Sequence, residues 1–68
     1  MTIKELRPIL PGAQKLHVMK YIVNEGFGNE EKIFDGSTME MPIELSDLEI
    51  YLIFAGAEGT LSIYTREA

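Results

Sequence analysis

The stretch from Leu48 to Thr65 constrains the fold more than any other part of this chain. Leu48, Ile50, Leu52 and Phe54 alternate with Glu49, Tyr51, Ile53 and Ala55. A period of two is that of a strand, because successive side chains leave opposite faces of the pleat. Gly56-Ala57-Glu58-Gly59 then offers a turn, and the alternation resumes over Thr60–Thr65 with Leu61 and Ile63 on one side and Ser62 and Tyr64 on the other. Two such runs around a short glycine-containing connection form a β-hairpin. The first run has the strongest pattern in the chain, so it is expected to be a central strand, with Leu52 and Phe54 in the core. A lone hairpin is not stable in water, so the remaining residues must supply more strands and a cover.

Leu16–Val23 reads as another strand, with large side chains on both faces: Leu16, Val18 and Ile22 on one, His17, Met19, Tyr21 and Val23 on the other. The glycines and asparagines between Asn24 and Glu30 indicate a loop, and Glu31–Asp35 a second short strand, giving a hairpin with a long tip. Asp35-Gly36-Ser37 turns away from it. Before these strands, Thr2-Ile3-Lys4-Glu5 has the spacing of a capping box, in which a threonine hydroxyl and a glutamate carboxylate satisfy each other's backbone amides. Ile3, Leu6, Ile9 and Leu10 follow at helical spacing, and Pro8 and Pro11 keep that helix short. Pro42–Leu45 fits one further helical turn. The fold class is therefore α+β: a short N-terminal helix packed on a three- to four-stranded, mainly antiparallel sheet built from two hairpins, spanning residues 1–68 as one domain.

A chain of 68 residues removes only about 60% of its unfolded surface from water, so its core is thin. There is no cysteine to staple it and one histidine, His17, so a zinc site would need carboxylates for its other ligands. Small domains without staples gain stability by association, and a homodimer is one expectation. No apolar run approaches the roughly 20 residues of a membrane helix. Nor does the opening carry the apolar segment of a signal peptide, so a cytoplasmic location is expected.

The residues hold little chemistry. His17 would need a nucleophile and an orienting acid in a cleft to act as a base, and one helix on one sheet encloses little. Gly26-Phe27-Gly28 lacks the run of a phosphate loop. Asp35, Ser37 and Glu40 lack the further oxygen ligands of a calcium loop. No catalytic, cofactor-binding or metal-ligating residue is assigned, and a non-catalytic binding protein is expected.

Two surfaces are candidates for binding. The net charge of −5 is uneven: residues 24–58 hold nine acids against Lys32 alone. Such a segment repels nucleic acid and suits a basic protein surface. The expected contact residues are Glu25, Glu30, Glu31, Asp35, Glu40 and Glu44, with Phe27 as an apolar anchor at the hairpin tip. The second surface is the sheet face that a single helix cannot cover. Met19, Tyr21, Tyr51 and Tyr64 would lie there and support self-association.

Thr2-Ile3-Lys4-Glu5-Leu6, Leu10-Pro11, Ile33-Phe34-Asp35-Gly36, Met41-Pro42-Ile43-Glu44-Leu45, Asp47-Leu48-Glu49-Ile50 and Gly59-Thr60-Leu61-Ser62-Ile63 together resemble small accessory proteins of phages and prophages of Firmicutes. The resemblance implies a product that binds and blocks a host protein. The expected function is a stoichiometric, anti-CRISPR-like inhibitor of a host nucleic-acid-binding defence protein. The alternative is a structural or assembly protein working as a homo-oligomer through its open sheet face.

Overall fold

The computed structural model describes residues 1–24 and 26–67, and of Val23, Asn24 and Phe27 the backbone only. The chain opens with helix α1 (Ile3–Leu6) and continues as a 3-10 turn over Arg7–Ile9. Strands β1 (Lys15–Asn24), β2 (Phe27–Ser37), β3 (Glu49–Ala55) and β4 (Leu61–Arg66) follow. Two 3-10 turns, Thr38–Glu40 and Ile43–Leu45, link β2 to β3. The fold is α+β, as the patterning predicts.

The capping box forms: the Thr2 N–H donates to Glu5 Oε1 at 3.0 Å, and Thr2 Oγ1 accepts from the Glu5 N–H at 3.4 Å. Pro8 lies in the first turn of the 3-10 segment, which tightens the helix to three residues per turn and rotates Ile9 into solvent, 69% exposed. Ile9 therefore leaves the predicted apolar stripe. Ile3 and Leu6 remain on it and are buried against the sheet.

The strand order is β2-β1-β4-β3. Both hairpins are antiparallel, and they join at the centre through a parallel β1–β4 pair in which Leu16 faces Leu61 and Val18 faces Ile63. Those side chains meet α1 from below, and Ile3, Leu6, Leu16, Val18, Met41 and Ile63 form the core. Of the two methionines flanking Glu40, Met41 is buried and Met39 is exposed.

Two expectations are corrected. First, the strand over Leu48–Ala55 lies at an edge, and the centre belongs to β1 and β4. A bulge between Ile50 and Leu52 adds a residue to β3, so that Ile50 pairs with Thr65 and Leu52 with Tyr64. One added residue sends every later side chain to the other face. Leu52 and Phe54 thus leave the core and are 47% and 45% exposed. Second, β2 extends beyond Glu31–Asp35 at both ends: the long hairpin tip is absent, since β1 and β2 stay paired to Asn24 and Phe27, and Asp35-Gly36-Ser37 is strand paired with Lys15–His17 and not a turn. The backbone ladder carries on through Gly28 and Asn29 regardless of side-chain type. Gly26, at φ +83°, takes a left-handed conformation in the remaining turn that glycine adopts without cost.

Candidate functional site

The bulge and the strand register assemble one surface on the face away from α1. β1 contributes His17, Met19 and Tyr21, opposite Asp35, Lys32 and Glu30 of β2. On its other side β1 lies beside Ser62 and Tyr64 of β4, which in turn face Phe54 and Leu52 of β3. All four residues expected to support self-association, Met19, Tyr21, Tyr51 and Tyr64, belong to this surface. Leu52 and Phe54, which patterning alone assigns to the core, join them.

The rings contact one another. Phe54 stacks on Tyr64 with centroids 5.3 Å apart and planes 19° from parallel, and Tyr51 tilts against Tyr64 at 6.3 Å. The Tyr51 hydroxyl donates to Glu30 Oε1 at 3.0 Å, and the Arg66 guanidinium lies 6.0 Å above the Tyr51 ring. Tyr21, Glu30, Tyr51 and Arg66 line a shallow hollow at this end of the sheet. Loss of hydration among these groups, followed by the Glu30 carboxylate, raises the Tyr51 phenol above its ordinary pKa. Tyr21 reaches its place because residue 28 is glycine: a Cβ there would collide with the Tyr21 phenol.

At the other end, His17 Nε2 lies 3.3 Å from Asp35 Oδ1, and Lys32 Nζ lies 3.2 Å from Asp35 Oδ2. Ser37 lines the same hollow as His17 and Asp35, but its hydroxyl donates to Glu40 Oε1 at 2.7 Å. The serine proton is thus held by Glu40 and not by the imidazole, and the three side chains do not form a nucleophile–base–acid relay. Among the described residues no three of His, Asp and Glu cluster as metal ligands.

The acidic residues singled out from sequence are divided by the fold. Glu30 and Asp35 lie on the aromatic face, each with a partner already. Glu31 is opposite Lys20 in the register and leaves the other side of the sheet. The Glu40 carboxylate caps the 3-10 turn that begins at Thr38, and its bonds to the Ser37 hydroxyl and then the Ser37 N–H lower its pKa. Glu44 is exposed on the Ile43–Leu45 turn. Glu25 and the Phe27 side chain lie outside the described residues. The aromatic face carries Glu30, Asp35 and, opposite Arg66, Glu49 against Lys32 and Arg66, so its net charge is small, and most of the acidity of the chain resides elsewhere.

Comparison with known protein families, curated proteins and solved structures gives no match to this chain. No helix among the described residues is long and apolar enough to cross a membrane.

Proposed function

We propose that this chain is a non-catalytic protein-binding module whose working surface is the uncovered sheet face. The observation that carries this reading is the cluster of Tyr21, Tyr51, Leu52, Phe54 and Tyr64 on a face with no cover among the described residues, four of them about 40–47% exposed. Clustered tyrosine and phenylalanine supply apolar contact area at little entropic cost and are typical anchors of protein interfaces. The partner is a protein with a basic surface. Arg66 over the Tyr51 ring, beside the Glu30 carboxylate, is an intramolecular example of the contact a partner's arginine would make. The net charge of −5 steers such a surface toward the protein from a distance.

In its narrower form, the chain is a phage-encoded stoichiometric inhibitor in the host cytoplasm. It occupies the basic groove of a defence protein that otherwise holds nucleic acid. Such a groove must neutralise phosphates and therefore presents arginines, which the tyrosine rings of this face can take as Tyr51 takes Arg66. The resemblance to phage accessory proteins and the acidic balance support this form. A homo-oligomer meeting through the same face is the alternative, favoured by the same aromatic cluster.

A short arginine-rich peptide titrated into the labelled protein tests the reading by NMR. Shifts should concentrate at Tyr21, Glu30, Tyr51 and Tyr64, shrink as salt rises, and diminish in Glu30→Lys. Shifts confined to the α1 side, affinity indifferent to salt, or tight binding of bare DNA or RNA would each overturn it.

A further inference from the structure

We propose that two copies of this chain pair through the outer edge of β3, antiparallel across a two-fold axis, into one continuous eight-stranded sheet. The sheet has two free edges, and they differ in chemistry. β2 carries Glu30, Glu31, Lys32 and Asp35, the kind of charges that keep an edge from pairing with another molecule. From Ile50 to Ala55, β3 has no charge, no proline and no glycine.

The N-terminal segment covers only the start of that edge. The Ile50 N–H donates to the Met1 carbonyl at 2.7 Å, the Ile3 N–H donates to the Leu48 carbonyl at 3.0 Å, and Thr2 bridges Glu49. Beyond Ile50, the outer edge from Tyr51 to Ala55 faces no strand among the described residues. Its side chains are apolar on both faces, with Leu52 and Phe54 on one and Ile53, 39% exposed, on the other. An edge of this kind is a template for strand addition.

The occupant that fits is a second copy. A two-fold axis at Ile53 sets Ile53 opposite its own symmetry mate, Leu52 opposite Phe54, and Tyr51 opposite Ala55. Every pair in this register is uncharged, so no like charges meet, although two molecules of net charge −5 repel elsewhere. The contact is isologous and closes at two copies. A specific contact buries about 1,000 Å² in total, so each copy would contribute roughly a ninth of its 4593 Å² surface. That is the low end of specific interfaces. The pairing also joins the two aromatic faces side by side, with Phe54 and Tyr64 of each copy near the seam.

Because the chain has no cysteine, a single one reports the geometry cleanly. Directly opposed residues have Cβ atoms about 4.5–5.5 Å apart, within small adjustments of a disulfide. Ile53→Cys should therefore crosslink to a dimer on mild oxidation, while Glu31→Cys on the opposite edge should stay monomeric at the same concentration. Sedimentation of the unmodified chain should show a monomer–dimer equilibrium, and Ile53→Lys should shift it at least tenfold toward monomer without changing its circular dichroism. If Ile53→Lys does not fold, the crosslinking pair decides alone. Crosslinking of Glu31→Cys in preference to Ile53→Cys, or a wild-type monomer at millimolar concentration, would overturn the proposal. So would a dimer lost in Tyr21→Ala but kept in Ile53→Lys. Retained binding of the arginine-rich peptide by monomeric Ile53→Lys would separate this proposal from the functional one.

Discussion

Replacing Ile63 by alanine is the sharpest test of the sheet order. Ile63 is fully buried on β4, with Val18 beside it on β1 and Ile53 on β3. The change removes three carbons, about 2.4 kcal/mol of transfer free energy at about 0.8 kcal/mol each. The cavity left behind adds to this, since neighbours on two strands and α1 cannot all collapse into it, and the total should reach about 3–4 kcal/mol. A domain of this size has roughly 3–10 kcal/mol to lose, so the variant should be close to unfolding at 37 °C. Leu52→Ala removes the same number of carbons from a side chain 47% exposed at the edge, and should cost about 1 kcal/mol or less. Urea unfolding followed by circular dichroism measures both, and a dilution series separates any contribution of dimerisation from that of the fold. Equal losses for the two variants, or a larger loss for Leu52→Ala, would refute the placement of β4 at the centre and β3 at the edge.

Three further outcomes are expected. Gly28→Ala should displace the Tyr21 ring and weaken peptide binding several-fold, with little change in stability because the colliding atoms belong to a movable side chain; unchanged Tyr21 resonances would contradict this. Tyr51 should ionise above the ordinary phenol value of 10.0, and Glu30→Gln should lower it only in part, since lost hydration is the larger cause; site-resolved NMR titration reads both. The Glu5 and Glu40 carboxylates are held below the ordinary value of 4.5, Glu5 by the Thr2 N–H first and Glu40 by the Ser37 hydroxyl first. A carboxyl whose folded pKa is depressed contributes stability above its unfolded pKa and loses it as pH falls through the folded one. The double variant Glu5→Gln, Glu40→Gln should therefore show a shallower acid dependence of melting below about pH 4.5, and an unchanged profile would deny the caps that role.

What the sequence determined by itself was local. The capping box at Thr2 and Glu5, the hairpin turn after Ala55, the single turn at Ile43–Leu45, with Pro42 as its cap and not its first residue, and the alternation of β1 over Leu16–Ile22 all depend on neighbours within a few residues, and all form. The existence of a second aromatic face followed from counting: one short helix cannot cover both sides of strands that carry large side chains on each. Only the tertiary structure decided which strand is central and which side chains reach that face. In Ile50-Tyr51-Leu52-Ile53-Phe54 every residue is large and apolar, so either phase of a strand satisfies the pattern equally. The bulge opposite Tyr64 selects the phase that turns Leu52 and Phe54 outward, and it exists through pairing with a strand that arrives later in the chain. The parallel β1–β4 contact is equally remote in sequence, as is the meeting of Tyr51 with Glu30, because partners more than twenty residues apart leave no periodic signature in either segment.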